Sequence, residues 1–90
     1  MRSTIDTRKV LKGLGAEVRR RRKSLDLTQV QLAQIAHIHS NVIGRLERGI
    51  YNPSVTVLCW IAAALDTSLV GLLPQTESMP RVRHGKLKTE

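Results

Sequence analysis

Residues 28–49, TQVQLAQIAHIHSNVIGRLERG, contain two short helical patterns that almost touch. Apolar residues recur at helical spacing up to Ala36 and again from Ile43, and only a few mostly polar residues separate the two runs. A connection this short allows only a tight turn, so the two helices must pack across each other. The small residues Ala33 and Ala36 permit a close approach. This stretch therefore predicts two crossed helices joined by a turn, and it constrains the fold more than any other part of the chain.

Further helical patterns lie on both sides of this pair. A first helix is expected from Val10, where apolar positions begin to recur at helical spacing. Ser54 can cap a fourth helix running to about Leu65, and Ser68 can cap a short fifth one that stops before Pro74. No strand-like alternation and no internal repeat occurs. The sequence thus predicts an all-α fold, a compact five-helix domain at residues 10–74 with a flexible N-terminal arm at 1–9 and a disordered basic C-terminal tail at 75–90.

Composition agrees with a helical domain and narrows the class of protein. The 90 residues include no Phe, one Trp and one Tyr, whereas sandwiches and barrels depend on aromatic and β-branched strands. Cys59 is alone, which excludes an internal disulfide framework and fits a reducing compartment. No stretch resembles a membrane span or a signal peptide, so we expect a soluble cytoplasmic protein. No nucleophile, base and orienting group form a plausible cluster, which argues against an enzyme.

The charge balance indicates the kind of partner. Lys and Arg total 15 against 7 Asp and Glu, giving a net charge of +8 and a pI near 10.9. Such an excess attracts polyanions, with nucleic acid ahead of acidic membrane surfaces. A membrane-surface role is disfavoured because the basic run Arg19 to Lys23 shares its helix with a core-facing stripe, not with exposed bulky apolar residues. We therefore expect double-stranded DNA as the partner and no membrane association.

The crossed pair matches a known pattern of spaced residues. The matching positions are Thr28-Gln29-x-x-Leu32-Ala33-x-x-Ala36, Ile38, Ile43, Glu47-Arg48-Gly49 and Asn52-Pro53-Ser54. With these residues the sequence resembles the lambda-repressor/Cro (XRE-like) helix-turn-helix proteins over residues 11–73. The resemblance implies a five-helix domain whose second and third helices form the helix-turn-helix. It also implies binding to operator DNA, usually as a dimer on an inverted repeat.

Two histidines depart from the family pattern. His37 stands where the turn usually has Gly, a position that can require a positive φ, which His tolerates better than most residues. His39 stands where Ser commonly caps the third helix, and Ser40 can provide part of that cap instead. The alternative is a zinc site made of His37, His39 and His84. No Cys pair at ligand spacing and no nearby acidic residue supports it, so we expect no metal and no cofactor.

The resemblance implies which residues contact DNA. In this family bases are read from the start of the third helix and from one turn further on, which here are Ser40, Asn41, Gly44 and Arg45. Asn pairs with adenine and Arg with guanine through two hydrogen bonds each, so we expect Asn41 and Arg45 to set specificity. The expected phosphate contacts are Gln29, His39, Arg48, Tyr51 and Asn52, together with Arg19, Arg20 and Lys23 at longer range.

One further pair follows from the same resemblance. The family often has an Arg and a Glu that join the first and third helices, here Arg22 and Glu47. Arg22 would then orient the third helix, while its basic neighbours face solvent or DNA. For Arg21, a solvated surface charge and a DNA-facing charge are equally compatible with the sequence.

The expected fourth helix, SVTVLCWIAAALD, is apolar almost all round. The residues expected to face the core are Val55, Leu58, Ile61, Ala62 and Leu65. A 90-residue domain cannot bury the opposite face as well, so we predict an isologous homodimer with Trp60 near the two-fold axis. The expected interface residues are Val57, Trp60, Ala64 and Val70. The alternative is that the N-terminal arm or the C-terminal tail covers this face.

These features predict a sequence-specific transcriptional regulator, most simply a repressor. It would bind an inverted-repeat operator as a homodimer through its third helix in the major groove. The alternative is an antitoxin-type module that neutralises a partner protein and autoregulates its operon. The basic tail and the apolar outer face of the fourth helix are the features in favour of that alternative.

Overall fold

The computed structural model describes residues 6–74, and the remainder of the expected arm and the whole expected tail lie outside the described residues. Within this range the chain is all-α, as predicted. The five helices are α1 (Thr7–Ser24), α2 (Gln29–Ala36), α3 (Ser40–Glu47), α4 (Val55–Ala64) and α5 (Leu69–Leu72). No helix in the described part of the chain is long and apolar enough to cross a membrane.

A side chain caps the start of each helix between residues 6 and 74. The capping box predicted at α2 is present: the Gln31 backbone N–H donates to Thr28 Oγ1 (3.0 Å) and the Thr28 N–H donates to Gln31 Oε1 (2.8 Å). Ser54 and Ser68 cap α4 and α5, as the sequence indicates. The start of α1 differs from expectation, because the Asp6 side chain accepts the Lys9 N–H and the helix begins at Thr7, three residues before the apolar pattern.

The first four helices end in the same way, with a residue of positive φ just beyond the last turn. These residues are Asp26, His37, Gly49 and Asp66, with φ of 59°, 60°, 77° and 59°. At each end a backbone N–H bonds back over five residues, as in the bond from the Ile38 N–H to the Ala33 carbonyl (3.0 Å). The positive φ predicted for His37 is confirmed, and this turn sets the crossing of α2 and α3.

The core lies where these helices meet, since α2 packs on both α3 and α4 while α1 packs on α3. Its fully buried side chains are Val18, Leu32, Ile43, Leu46, Ile61 and Leu72. At Gly15 the backbones of α1 and α3 nearly touch, because an added Cβ would run into the carbonyl oxygens of Leu46 and Glu47. Glycine at this position therefore fixes how closely α3 approaches α1.

The outer side of α4 only partly follows the predicted arrangement. Val55 was expected to face the core, but it is the first residue of the helix and is 65% exposed. Val57 and Ala64, expected at a dimer interface, are half-buried and pack against the core of their own chain. Trp60 and Val70 are the expected interface residues that remain largely exposed, at 50% and 76%.

Candidate nucleic-acid interface

The start of α2 and the exposed side of α3 form one shallow, mostly polar concavity. Its lining residues are Gln29, Val30, Ser40, Asn41, Gly44, Arg45 and Arg48. All four expected base-reading positions are among them, beside two of the expected phosphate contacts. The exposed side chains of Asn41, Arg45 and Arg48 therefore share one surface.

A buried network behind this surface connects three helices. Arg22 on α1 donates to Glu47 on α3 through Nε (2.7 Å) and Nη2 (3.0 Å), and the side chains are only 9% and 1% exposed. The hydrogen bond to the Glu47 carboxylate raises the pKa of the Arg22 guanidinium above its ordinary value. Arg22 Nη1 also donates to the Leu27 carbonyl (2.7 Å), so the guanidinium ties α1 to the segment before α2. The resemblance placed Arg22 and Glu47 together, and the structure brings them into contact.

The same carboxylate holds the residue at the start of α2. Gln29 Nε2 donates to Glu47 Oε1 (3.0 Å), which the sequence did not indicate because 18 residues separate the two. The second hydrogen on Nε2 is left available to an acceptor outside the protein. Glu47 therefore positions a donor at the helix start, where backbone N–H groups and the helix dipole favour an anion.

His39 supplies the cap of α3 that the family pattern left uncertain. Its Nδ1 accepts the Asn41 backbone N–H (3.1 Å), so Ser40 is the first residue of the helix and is not the cap. Because Nδ1 is the acceptor, the neutral ring carries its proton on Nε2, which leaves that nitrogen as a donor on an exposed side chain. His37 likewise has a backbone role as the left-handed residue that ends α2.

Gly44 has a different place from the one expected of a base-reading residue. It is buried, and an added Cβ would lie 3.5 Å from Gln29 Oε1 and 3.7 Å from Arg48 Nη1. The glycine thus forms the floor under these two side chains and offers no group of its own to a base. Its contribution is the space that Gln29 and Arg48 occupy.

Arg45 and Tyr51 face each other at the end of α3. The guanidinium carbon of Arg45 lies 5.6 Å from the centre of the Tyr51 ring, within the range of a cation–π contact. Tyr51 is half-buried and packs against the hydrophobic core, whereas Arg45 is exposed. Asn52 follows as an exposed residue of the loop before α4.

The basic residues of α1 divide into two groups. Arg20 and Arg21 both donate to Glu17 (shortest distances 2.6 and 2.7 Å), and the hydrogen bond from Arg20 leads in lowering the pKa of that carboxyl. Successive helical residues turn by about 100°, so Arg20 lies roughly 200° from Arg22 and faces away from α3. The structure therefore does not bring Arg20 to the concavity: its charge is compensated by Glu17 and its position on α1 faces away from α3, which disfavours the expected phosphate contact.

The other basic residues of α1 follow a stripe on the side nearer α3. Arg8, Lys12, Arg19 and Lys23 are exposed, and their spacing of 4, 7 and 4 residues keeps them on one side of the helix. The stripe borders the end of α3, since an added Cβ on Gly49 would lie 2.9 Å from Lys12 Cγ. Arg19 and Lys23 were expected here, while Arg8 and Lys12 were missed although the helical period reveals them.

Val30 was also missed. It is 53% exposed and lies two positions before the buried Leu32, on the opposite side of α2. Among the described residues that line the concavity, Val30 contributes an apolar side chain and the others are polar, charged or glycine.

A second, apolar groove lies between α2 and α4. Its lining residues are Ile35, Ala36, His37, Trp60, Ala63 and Ala64. Ile35 and Trp60 are each about half exposed (51% and 50%). Two of the expected interface residues, Trp60 and Ala64, thus lie together in this groove.

The helices α2 and α3 cross each other and are joined by a turn whose first residue, His37, has a left-handed backbone conformation. The exposed side of α3 carries polar and basic side chains. Together these features define a helix-turn-helix domain. The helix-turn-helix family model matches residues 18–72, and the chain belongs to that family. The resemblance to the lambda-repressor/Cro (XRE-like) proteins is thereby confirmed.

Three similar proteins illustrate the membership. The chain is 40% identical over 60 residues to the immunity repressor protein of Bacillus phage phi105 and, over the same length, to the control protein C.SmaI of Serratia marcescens. Each alignment covers 67% of this chain, but 42% of the immunity repressor and 71% of the control protein. The crystal structure of the restriction-modification controller protein C.AhdI from Aeromonas hydrophila superposes with a TM-score of 0.69 at 30% identity, covering 70% of this chain and 96% of that one.

Proposed function

We propose that this chain is a sequence-specific, DNA-binding transcriptional regulator, most simply a repressor, and not an enzyme. The observation that carries the proposal is the concavity in which Asn41, Arg45 and Arg48 lie beside the anchored Gln29. An exposed, basic helix surface of this kind fits the major groove, which admits one α-helix. The relatives named as a repressor and as controllers support the same class.

Base reading and positioning are assigned to different side chains. Asn41 and Arg45 read base edges, with adenine and guanine as the preferred partners, and Ser40 lies beside them. Gln29, His39, Arg48 and Asn52 bind phosphates and set the register of α3 without reading sequence. The α1 stripe adds attraction at longer range and a dependence on salt.

Val30 adds an apolar contact to this arrangement. Major-groove thymines present a 5-methyl group, and small apolar side chains recognise it by contact. An exposed valine beside Ser40 and Asn41 is placed for such a methyl group.

The proposed operator is an inverted repeat bound by a homodimer, with half-sites about 10 bp apart from centre to centre. The groove containing Trp60 is the surface proposed to meet its copy, because an isologous interface places the same apolar patch on both partners. Trp60→Glu should give a monomer by sedimentation velocity and weaken operator binding. Val55→Glu, at an apolar position of α4 that lies outside the groove and is even more exposed than Trp60 (65% against 50%), is the matched control and should stay dimeric.

The function is tested by fluorescence anisotropy on DNA from the region upstream of the protein's own gene, against scrambled DNA, at two salt concentrations. Binding to the upstream DNA at a salt concentration that releases the scrambled DNA is the expected result. Equal and equally salt-sensitive binding to both would contradict sequence reading at that site.

Two adjacent arginines provide a matched pair of variants for testing the electrostatic contribution to DNA binding. Arg19→Ala should lower affinity for all DNA similarly and reduce the salt slope by about 1. Arg20→Ala should leave both unchanged, because Arg20 faces away from α3 and is bound to Glu17. Equal effects from the two variants would show that the direction of the α1 charges does not matter.

A second candidate is the antitoxin-type module, and the exposed groove of Ile35 and Trp60 is the observation that favours it. In that case the groove receives a partner protein. Co-expression with the product of the neighbouring gene distinguishes the two candidates. A stable one-to-one complex that is lost in Trp60→Glu would support the antitoxin-type module. Elution of the two proteins independently of each other would contradict it.

A further inference from the structure

We propose that Tyr51 is a positioning residue for sequence reading, whose ring holds the guanidinium of Arg45 in the orientation that meets a base. The inference rests on the proposed function, since it assigns a role within the same DNA-reading surface. It differs from the expectation that Tyr51 contacts a phosphate, because the ring is the functional part and the hydroxyl is not needed.

The first step is the geometry of the pair. Arg45 Cζ lies 5.6 Å from the ring centroid of Tyr51. Among the described residues, the Arg45 side chain has no hydrogen bond or ion pair that would fix it otherwise. Tyr51 packs against the hydrophobic core and is half-buried, so the ring is a fixed surface while Arg45 is the group that it restrains.

The second step is the chemistry of the guanidinium. Its planar face interacts with an aromatic ring, while its edge donates two parallel N–H groups to O6 and N7 of guanine. These two interactions use different parts of the group, so Arg45 can keep the ring contact while it reads a base. A long side chain held in advance loses less conformational entropy on binding, which increases affinity for the base that it fits.

The third step is the backbone that brings the two residues together. Gly49, at φ 77°, ends α3, and the Ile50 N–H bonds back to the Arg45 carbonyl (3.1 Å). The chain therefore folds back along the last turn of α3, which carries Tyr51 to the side chain of Arg45. The pairing is thus set by the backbone turn that ends α3.

The experiment compares Tyr51→Phe, which keeps the ring, with Tyr51→Leu, which removes it. Affinity is measured by anisotropy on the operator and on operators changed at one base pair at a time. Arg45→Ala first identifies the base pair whose discrimination depends on Arg45. Tyr51→Phe should stay within twofold of the wild type on every DNA, whereas Tyr51→Leu should lose about 2–5-fold of the discrimination at that base pair.

Two controls separate positioning from a general structural effect. In Tyr51→Leu, discrimination at base pairs that do not depend on Arg45 should be unchanged, and in an Arg45→Ala background the Leu substitution should have no further effect on specificity. In the free protein, the side-chain protons of Arg45 should show a ring-current shift by NMR that Tyr51→Phe keeps and Tyr51→Leu loses.

Three results would overturn the proposal. A uniform loss on all DNA in Tyr51→Phe would assign the hydroxyl to a phosphate. An equal loss of discrimination at every base pair in Tyr51→Leu would make the residue merely structural, and the absence of a ring-current shift in the wild type would remove the contact itself. The proposed function fails separately, if the wild-type protein does not distinguish its operator from scrambled DNA.

Discussion

Replacing Glu47 by alanine removes the acceptor of three hydrogen bonds from inside the domain. Two of them come from Arg22, which is 7% exposed, and one comes from Gln29. The guanidinium keeps the Leu27 carbonyl but loses its counter-charge. Breaking a buried pair by removing one partner costs about 3–5 kcal/mol, because the other charge stays buried and uncompensated. Since small domains have about 5–15 kcal/mol of stability in total, Glu47→Ala should be close to unfolding.

The measurement is urea denaturation followed by circular dichroism, with the midpoint and slope fitted for each variant. Arg20→Ala is the matched control, because it breaks an arginine–glutamate pair on the exposed surface of α1 and should hardly move the midpoint. A further variant, Arg22→Met with Glu47→Leu, replaces the whole ion pair by apolar side chains of similar size. Its stability should return to about that of the wild type, since such replacements are often neutral or stabilising.

In the variant that combines Arg22→Met with Glu47→Leu, stability should recover while DNA affinity should not. The double variant restores packing, but Gln29 still lacks the carboxylate that holds its side chain. We expect it to be well folded and yet weaker on both operator and scrambled DNA, because a phosphate contact has been lost. Two results would refute this reasoning: a cost below about 1 kcal/mol for Glu47→Ala, as for an exposed pair, or full recovery of DNA affinity in the double variant.

Three further predictions test separate parts of the structure. Gly15→Ala should lower the free energy of unfolding by about 1–3 kcal/mol in a thermal melt, because the new Cβ would meet backbone carbonyls of α3. Gly13→Ala is the control: its Cβ would lie 3.4 Å from Pro74, and the free energy of unfolding should stay the same or rise by up to about 1 kcal/mol. Replacing the contacted operator thymine by deoxyuridine should weaken the wild type about fourfold and Val30→Ala much less; equal losses in both would place the methyl group elsewhere. The hydrogen bond from Arg20 lowers the pKa of Glu17 from its ordinary value of 4.5. The ionised carboxylate therefore stabilises the fold at pH values above the pKa of Glu17 in the unfolded chain, and this stabilisation is lost as pH falls through the pKa in the folded chain. Glu17→Gln should therefore flatten the acid side of a stability–pH curve below pH 4.5, and an unchanged curve would contradict the pairing.

Much of the fold could be predicted because local signals agree with tertiary packing. The capping residues Thr28, Ser54 and Ser68 start helices where the apolar period predicts them. The start of α1 could not be placed in this way, since Asp6 lies four residues before Val10, where the recurring apolar pattern begins, and only a polar cap marks the boundary. The helical period alone predicts that Arg20 faces away from α3. It does not predict which of the five consecutive basic residues 19–23 form ion pairs with Glu17.

The candidate interface depended on contacts that sequence spacing alone does not specify. The resemblance placed Arg22 with Glu47, but it did not indicate that the carboxylate also accepts from Gln29, because that contact requires the crossing of α2 and α3 to be known. The role of His39 was uncertain for a similar reason. A histidine is not among the preferred capping residues, and only the ring orientation shows that Nδ1 accepts the Asn41 N–H.

Both ends of α3 place a candidate functional side chain, and in each case the backbone conformation is the cause. At the start, the extended conformation of His39 lets its ring cap the helix, which leaves Nε2–H as the free donor beside Asn41. At the other end, the positive φ of Gly49 folds the chain back and brings Tyr51 to Arg45. A side chain at position 49 would be strained by that φ and would press on the backbone of Lys12. The glycine thus joins two requirements, since it permits the close approach of α1 and sets the position of the ring against which Arg45 rests.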